Sequence, residues 1–374
     1  MAKKIYKKGW RRALHVISII SLLIGSLGVN LSMTSVAKAT AIINYTEFLS
    51  IYGNNVVAIG EDQANEMSYV VLYDISNNTT NFIDGVSTVV NRFIFIDVSD
   101  DYVAYGDYLG NLHIYNIASQ SESIVATDVK FLSQIKIADN KVIYVNIYDE
   151  LVNYDIYSSS SSIIANYAIT ETNSFDSYLG GTVAMEDFKT PFVMDRSLKV
   201  AVDVNAGSPT WYTIPVNPAP ISFWSIEIDK NHTAWLEDHF GGVRKIGVMN
   251  NKTITSGSPN FIYPTLPVNE LIESADIFTY DDSESVDVNL DKLIFCFKSF
   301  SPVTLKQSIW LSQNGYNYGI HETSHSVIYP KIYGDYVVWS ETVGDGWPTS
   351  INPAEVHLYN IGTGQETVIL PSNY

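Results

Sequence analysis

The stretch Tyr333-Gly334-Asp335-Tyr336-Val337-Val338-Trp339, continued by Glu355-Val356-His357-Leu358-Tyr359-Asn360-Ile361-Gly362-Thr363-Gly364, reads as short strands joined by tight turns. Gly334-Asp335 supplies a turn, because glycine tolerates positive φ and aspartate bonds its own backbone. The β-branched and aromatic run 336–339 suits a strand, and Ser340-Glu341 ends it. After a polar, Gly/Pro-rich excursion over 342–354, residues 355–361 alternate as a half-buried strand does, and Gly362-Thr363-Gly364 turns them into 366–370. Residues 327–332 add a fourth strand ahead of the unit.

The turn-plus-strand element recurs upstream six times. Gly53-Asn54-Asn55 precedes Val56-Val57-Ala58-Ile59, Asp100-Asp101 precedes Tyr102-Val103-Ala104-Tyr105, and Asp139-Asn140 precedes Val142-Ile143-Tyr144-Val145. Gly180-Gly181 precedes Thr182-Val183-Ala184-Met185, Lys230-Asn231 precedes Thr233-Ala234-Trp235-Leu236, and Leu290-Asp291 precedes Leu293-Ile294-Phe295-Cys296. A second strand follows in step at 69–75, 111–117, 150–156 and 308–312, with 198–204 and 243–249 as the matches in two weaker copies. The spacing of roughly 40 to 60 residues is that of a four-stranded propeller blade. Such a blade cannot bury both faces alone, so the pattern predicts an all-β chain folded as a seven-bladed β-propeller of four-stranded antiparallel blades over 40–374. Six or eight blades also fit the spacing. An open β-sandwich or a solenoid fits less well, since no repeat carries the polar cap a solenoid needs. Ring closure is expected to pair 41–45 with 367–370.

Residues 1–39 read as a signal peptide: Lys3, Lys4, Lys7, Lys8, Arg11 and Arg12 lead into the apolar run 16–31 and the small-x-small site Ala37-Lys38-Ala39. That run is shorter than the ~20 residues a membrane span needs. The expected location is secreted or at the extracellular cell surface, or the periplasm in a Gram-negative bacterium. Cleavage removes seven of 22 basic residues and none of 40 acidic ones, leaving −25 (15 basic against 40 acidic). This charge disfavours nucleic acid and anionic lipid as partners. The one cysteine, Cys296, lies in an apolar run and excludes an intramolecular disulfide, so the fold relies on its core.

The pattern Pro330-x-Ile332-x-Gly334-Asp335-x-Val337-Val338-Trp339, then Val356-x-Leu358-Tyr359-Asn360-x-x-Thr363-Gly364-x-Glu366, resembles the propeller repeats of TolB-like and archaeal cell-surface proteins. The resemblance implies a secreted or surface-bound propeller, often a non-enzymatic binding module.

Four sets of residues are candidates for function. His321-Glu322-Thr323-Ser324-His325 matches the H-E-x-x-H zinc-peptidase string, but that chemistry needs a helix, and the segment reads as the connection between blades six and seven, entering a strand. Carboxylates at the ends of second strands, Glu61, Asp107, Glu186, Glu237, Asp238 and Glu341, are expected on one rim, where they either converge on calcium or each serve their own blade. Copies three and six carry Asn146 and Lys298 instead. Residues 206–224 and 256–286 read as aromatic insertions between blades; Trp211, Trp224, Tyr263 and Tyr280, with Trp347 in the last blade's excursion, are candidate ligand-binding residues. Sequons at Asn44, Asn77, Asn78, Asn231 and Asn251 suit a glycoprotein. The expected function is a non-catalytic propeller binding a protein or glycan through its loop-rich rim. The alternative is a glycoside hydrolase or polysaccharide lyase using Glu186, Glu237 or Glu341.

Overall fold

The computed structural model describes residues 48–62, 65–89, 91–131, 133–166, 175–178, 182–188, 196–202, 209–214, 222–228, 232–239, 243–251, 260–262, 271–279, 293–301, 303–313, 316–344 and 354–372. All belong to the second of the chain's two units, Ile42–Tyr374. Their strands form seven four-stranded antiparallel sheets, each built from four consecutive strands, in the β-propeller expected from the sequence.

Blade one comprises β1 (Leu49–Tyr52), β2 (Asn55–Asp62), β3 (Met67–Asp74) and β4 (Thr79–Ser87); blade two, β5 (Phe93–Val98), β6 (Tyr102–Asp107), β7 (Leu112–Asn116) and β8 (Ser121–Ala126). Blade three comprises β9 (Ile135–Ala138), β10 (Lys141–Val145), β11 (Glu150–Asp155) and β12 (Ser160–Asn166); blade four, β13 (Phe175–Tyr178), β14 (Thr182–Phe188), β15 (Arg196–Val202) and β16 (Thr210–Ile214). Blade five comprises β17 (Ser222–Ile228), β18 (His232–His239), β19 (Val243–Asn250) and β20 (Asn260–Ile262); blade six, β21 (Leu271–Thr279), β22 (Leu293–Ser301), β23 (Lys306–Gln313) and β24 (Tyr316–Thr323). Blade seven comprises β25 (Val327–Tyr333), β26 (Tyr336–Thr342), β27 (Ala354–Asn360) and β28 (Gln365–Leu370).

The two stretches read as insertions carry strands. Residues 206–224 contain β16, the outer strand of blade four, and the start of β17; residues 256–286 contain β20 and β21. The second strand of each blade is sandwiched between two neighbouring blades, so it is buried on both faces. This is why β26, Tyr-Val-Val-Trp, reads as a continuous apolar run rather than an alternating one.

Two local devices repeat. At the end of the third strand, an Asp or Asn side chain caps the outer turn: Asp74 accepts from the Ser76 amide at 2.9 Å, Asn116 from Ser119 at 2.8 Å, Asp155 from Ser158 at 3.0 Å and Asn360 from Thr363 at 2.9 Å. The following isoleucine amide donates back to the inner turn, as Ile75 to Asn54, Ile117 to Asp101, Ile156 to Asn140 and Ile361 to Asp335. The second device is a bulge in the outer strand, which leaves Ile83, Val125, Ile164, Ile320 and Ile369 outside the ladder register. Each packs into the hydrophobic cluster at a blade junction. Full burial of such an aliphatic side chain contributes about 1.5–3 kcal/mol.

Each first strand lies against the next, β1 on β5 through to β21 on β25, and β25 returns to β1. The closing junction packs Ile51, Val56, Ala58, Val71 and Tyr73 of blade one on Val338, Val356, Leu358, Ile369 and Leu370 of blade seven. Residues 41–45, expected to pair with the last strand, lie outside the described residues. Blade seven already holds four strands of its own. Along the inner strands, Asp97 on β5 accepts from Ser50 Oγ on β1 at 2.5 Å and from the Ile137 amide on β9 at 2.9 Å. Glu227 on β17 meets Lys331 of β25 at 2.6 Å and Lys136 of β9 at 3.6 Å, so blades three, five and seven are tied together by charge.

Close packing sets the tolerance to substitution. Gly247 on β19 faces the buried Trp235, and a Cβ there would stand 2.3 Å from the indole Cε2. Gly247→Ala is expected to lower stability by about 1–3 kcal/mol. Gly319→Ala, whose nearest contact is 3.6 Å, should be nearly silent. Denaturant titration of the two variants checks the order.

Candidate functional site

Where second strands end, the sequence places an acid two residues after an aromatic in three blades: Tyr105 and Asp107, Trp235 and Glu237, Trp339 and Glu341. In blade five, Trp235 Nε1 donates to Glu237 Oε1 at 2.7 Å and Lys245 Nζ stands 3.0 Å from Oε2, all three residues buried. In blade two, Asp107 Oδ1 accepts from the Leu109 and Asn111 amides, both at 2.9 Å, and caps the loop to β7. Asn146 does the same in blade three, accepting from the Tyr148 and Glu150 amides, so the turn requires an oxygen acceptor rather than a charge. Lys298 in blade six donates to the Val327 carbonyl of blade seven at 3.0 Å. Glu61 pairs with Arg92 at 3.4 Å. Glu186 and Asp238 lie on β14 and β18, with side chains outside the described ones. Among the described residues, no three of these carboxylates come within metal-binding distance of one another. Glu61, Asp107, Glu237 and Glu341 each bond within their own blade or to an adjoining one.

At the junction of blades six and seven, the H-E-x-x-H string runs off the end of β24 as a strand, not through a helix. The connection expected there begins only after Thr323, and the chain bends at Ser324 so that both histidines reach one carboxylate. His321 Nε2 lies 2.7 Å from Glu341 Oε2, and His325 Nδ1 lies 3.2 Å from Glu341 Oε1. Glu366 on β28 takes His321 Nδ1 at 3.1 Å and His357 Nδ1 at 2.7 Å, while His357 Nε2 lies 3.1 Å from Glu355. Trp339 stacks on His357 at 5.2 Å, and its buried Nε1 finds no acceptor among the described residues. The equivalent indole of blade five has Glu237; here Glu341 is turned toward the histidines.

The junction of blades one and two repeats the stacked aromatic, the histidine and its outer-strand acid of this arrangement. Tyr105 stacks on His113 at 4.9 Å, His113 Nδ1 meets Glu122 Oε1 at 2.6 Å, and His113 Nε2 meets Asp107 Oδ2 at 3.1 Å. Asp84 occupies the place of His321: both follow the bulge on the outer strand of the preceding blade. Tyr105 donates to Asp84 at 3.4 Å. One ligand atom each from Asp84, His113 and Glu122 lies within 4.8 Å of the other two, a set able to hold a metal ion.

The charges shift together. Burial opposes a charged His321, but Glu341 and Glu366 outweigh it and hold its pKa up at about 9; the histidines in turn hold both carboxyls down at about 2 against burial. Burial also opposes a charged His113, yet Asp107 and Glu122 raise it to about 9. Burial, then the charge of Glu122, raises Asp84.

The predicted aromatics are dispersed. Trp211 on β16 is half-buried against the core between blades three and four. Trp224 is on β17 with its side chain outside the described ones; Tyr263, Tyr280 and Trp347 lie outside the described residues. Asn77 and Asn78 are exposed in the β3–β4 turn, whereas Asn251 is buried and accepts from Thr233 Oγ1 at 2.6 Å. Asn44 and Asn231 lie outside the described residues. The sequence reading missed a different aromatic group. Tyr108, Leu109, Phe131, Ile147 and Tyr148 are 46% to 70% exposed on the β6–β7 loop, the β10–β11 loop and the connection between blades two and three. Tyr108 and Phe131 pack edge to face at 5.1 Å. The connection is bonded to both loops, Val129 to Gly110 at 2.9 Å, Lys130 to Val145 at 2.8 Å and Ile147 to Asp128 at 2.8 Å, so the patch is held by backbone.

The chain matches no protein-family profile and no curated protein by sequence. Among solved structures, the β-propeller domain of the Trilobed protease from Pyrococcus furiosus, with an open velcro topology, superposes at a TM-score of 0.60 and 11% identity, over 88% of this chain and 99% of that one. The Pyrococcus horikoshii acylaminoacyl peptidase gives 0.57 and 12% over 88% of this chain, which spans about half (52%) of that one. TolB from Acinetobacter baumannii gives 0.46 and 8% over 71% of this chain and 63% of that one. The two Pyrococcus likenesses establish the propeller fold alone.

The shifted pairs make the six–seven junction pH-dependent. The raised His321 stabilises fully below its unfolded pKa of 6.5, and this is lost as pH rises through about 9. The depressed Glu341 and Glu366 stabilise fully above 4.5, and this is lost as pH falls through about 2. The stability difference between the wild type and His321→Gln should therefore be greatest between pH 4.5 and 6.5 and fade by pH 10. Melting curves across pH 3–10 measure it.

Proposed function

We propose that the chain is a secreted or surface-displayed, non-catalytic propeller that binds a protein through the exposed patch on the rim of blades two and three. The observation that carries this reading is the patch itself: five large apolar side chains on short loops that backbone hydrogen bonds hold together. Aromatic anchors that lose little side-chain freedom on binding are what protein interfaces use at their centres. Aliphatic Leu109 and Ile147 offer nothing to a sugar hydroxyl, which favours a protein over a glycan. The excess of acidic residues, −18 for the whole chain, suits a partner whose apolar spot is ringed by Lys and Arg.

Secretion rests on residues 1–39, and the surface setting on the resemblance of the last repeat to TolB-like and archaeal cell-surface propellers. The hydrolase or lyase reading is weakened by burial. Of its acid–base candidates, Glu237 is covered by Lys245 and Trp235, and Glu341 by His321 and His325.

Binding of the purified protein to arrayed surface and secreted proteins of its own organism, and to a glycan array, tests the reading. A protein ligand of micromolar affinity or better is expected, weakened tenfold or more by Tyr108→Ala or Tyr148→Ala with unchanged melting. Affinity confined to glycans, or turnover of a polysaccharide, would contradict it.

A further inference from the structure

We propose that Asp84, His113 and Glu122 form a divalent transition-metal site, with zinc as the fitting probe, that staples the outer strand of blade one to blade two. The donor set is one imidazole nitrogen and two carboxylates, the mixture that zinc and its neighbours accept. The three ligand atoms lie within 4.8 Å of one another. Around an ion with bonds of roughly 2.0–2.2 Å the ligand atoms stand about 3–3.5 Å apart, so side-chain rotations that move them by about an ångström complete the site.

Three further observations point to a ligand and not to a chance meeting of acids. First, the imidazole is oriented from behind. His113 Nε2 faces Asp107, itself fixed by the side chains of Asn91 and Asn111, both at 2.8 Å, and by two backbone amides. A carboxylate behind a histidine is the arrangement that fixes the ring in metal sites, and an ion bound at Nδ1 would displace the proton that now joins it to Glu122 at 2.6 Å. Secondly, among the described residues neither Asp84 nor Glu122 has a Lys or Arg partner. Their contacts are His113, the Tyr105 hydroxyl and the Gly85 amide. Three carboxylates, counting Asp107, therefore surround one imidazole, an excess of negative charge that a dication balances. Thirdly, the twin junction of blades six and seven puts His321 where Asp84 stands, so that a second imidazole supplies positive charge to Glu366 and Glu341. Blade one supplies a carboxylate at that position, which leaves the one–two junction short of a cation. His113 is buried while Glu122 opens to solvent, giving an ion a path inward.

The test uses the purified protein, stripped with chelator and titrated with zinc alone. One zinc per chain is expected, with a rise in Tm that calcium and magnesium do not reproduce. The double variant Asp84→Asn/Glu122→Gln, which keeps shape and hydrogen-bonding oxygens, should lose affinity tenfold or more, and His321→Gln should retain it. X-ray absorption of the zinc-loaded wild type, which needs no variant to fold, should give a nitrogen/oxygen shell at about 2.0–2.2 Å with a single imidazole. Absence of stoichiometric zinc, zinc retained in the double variant, zinc lost in His321→Gln, or two imidazoles in the shell, would each overturn the proposal.

Discussion

Everything in this ring depends on the contact between blade seven and blade one. Each blade has four strands, and its middle strands are apolar on both faces, so a blade with one face uncovered exposes Val, Ile and aromatic surface to water. In the described sheets no strand of one chain end completes the blade of the other. Among the described residues closure rests on side chains: Ile51, Val56 and Tyr73 against Val338, Leu358 and Ile369, with Tyr52 and Tyr333 in ring contact at 4.3 Å. The Lys136–Glu227–Lys331 group adds a polar tie between inner strands that are far apart in sequence. Its members are half-buried, so it fixes blade position more than it adds stability.

The same need to join neighbours explains the histidine clusters. A bulge on the outer strand turns an aliphatic residue toward the junction and sends the next side chain, Asp84 or His321, toward the following blade. There it meets a histidine stacked on an aromatic residue and held between two acids. The acids of these clusters are engaged in joining blades, while the exposed apolar surface is displayed elsewhere, on the loops of blades two and three. The residues that hold the blades together are thus not those of the exposed patch.

The sequence disclosed the second strands well because burial on both faces writes them as β-branched runs after Gly, Asp or Asn turns. All seven were placed, from 56–59 to 336–339. It hid the outer strands of blades four and five. Thr210–Ile214 and Asn260–Ile262 are short and flanked by Pro, Ser and Asn, so they read as insertions, and Trp211 read as a ligand platform when it packs on the core. The histidine clusters were hidden because Asp84 and His113, or His321 and Glu366, lie in different blades. A signal was present nonetheless. Aligning the chain on Tyr115-Asn116-Ile117 and Tyr359-Asn360-Ile361 superposes His113 on His357 and, nine residues on, Glu122 on Glu366. The rim patch had no such signal, since its loops are too short to stand out.

Native-state hydrogen exchange at the strands flanking the closure tests the central claim most directly. If the packing of blade seven on blade one closes a continuous ring, the amides of Val337 and Val338 in blade seven exchange only with global unfolding, with the same free energy as those of Val103 and Ala104 in blade two. Exchange of blade seven through a separate opening of much lower free energy would mean that the ring is not closed by this junction, and would contradict the account.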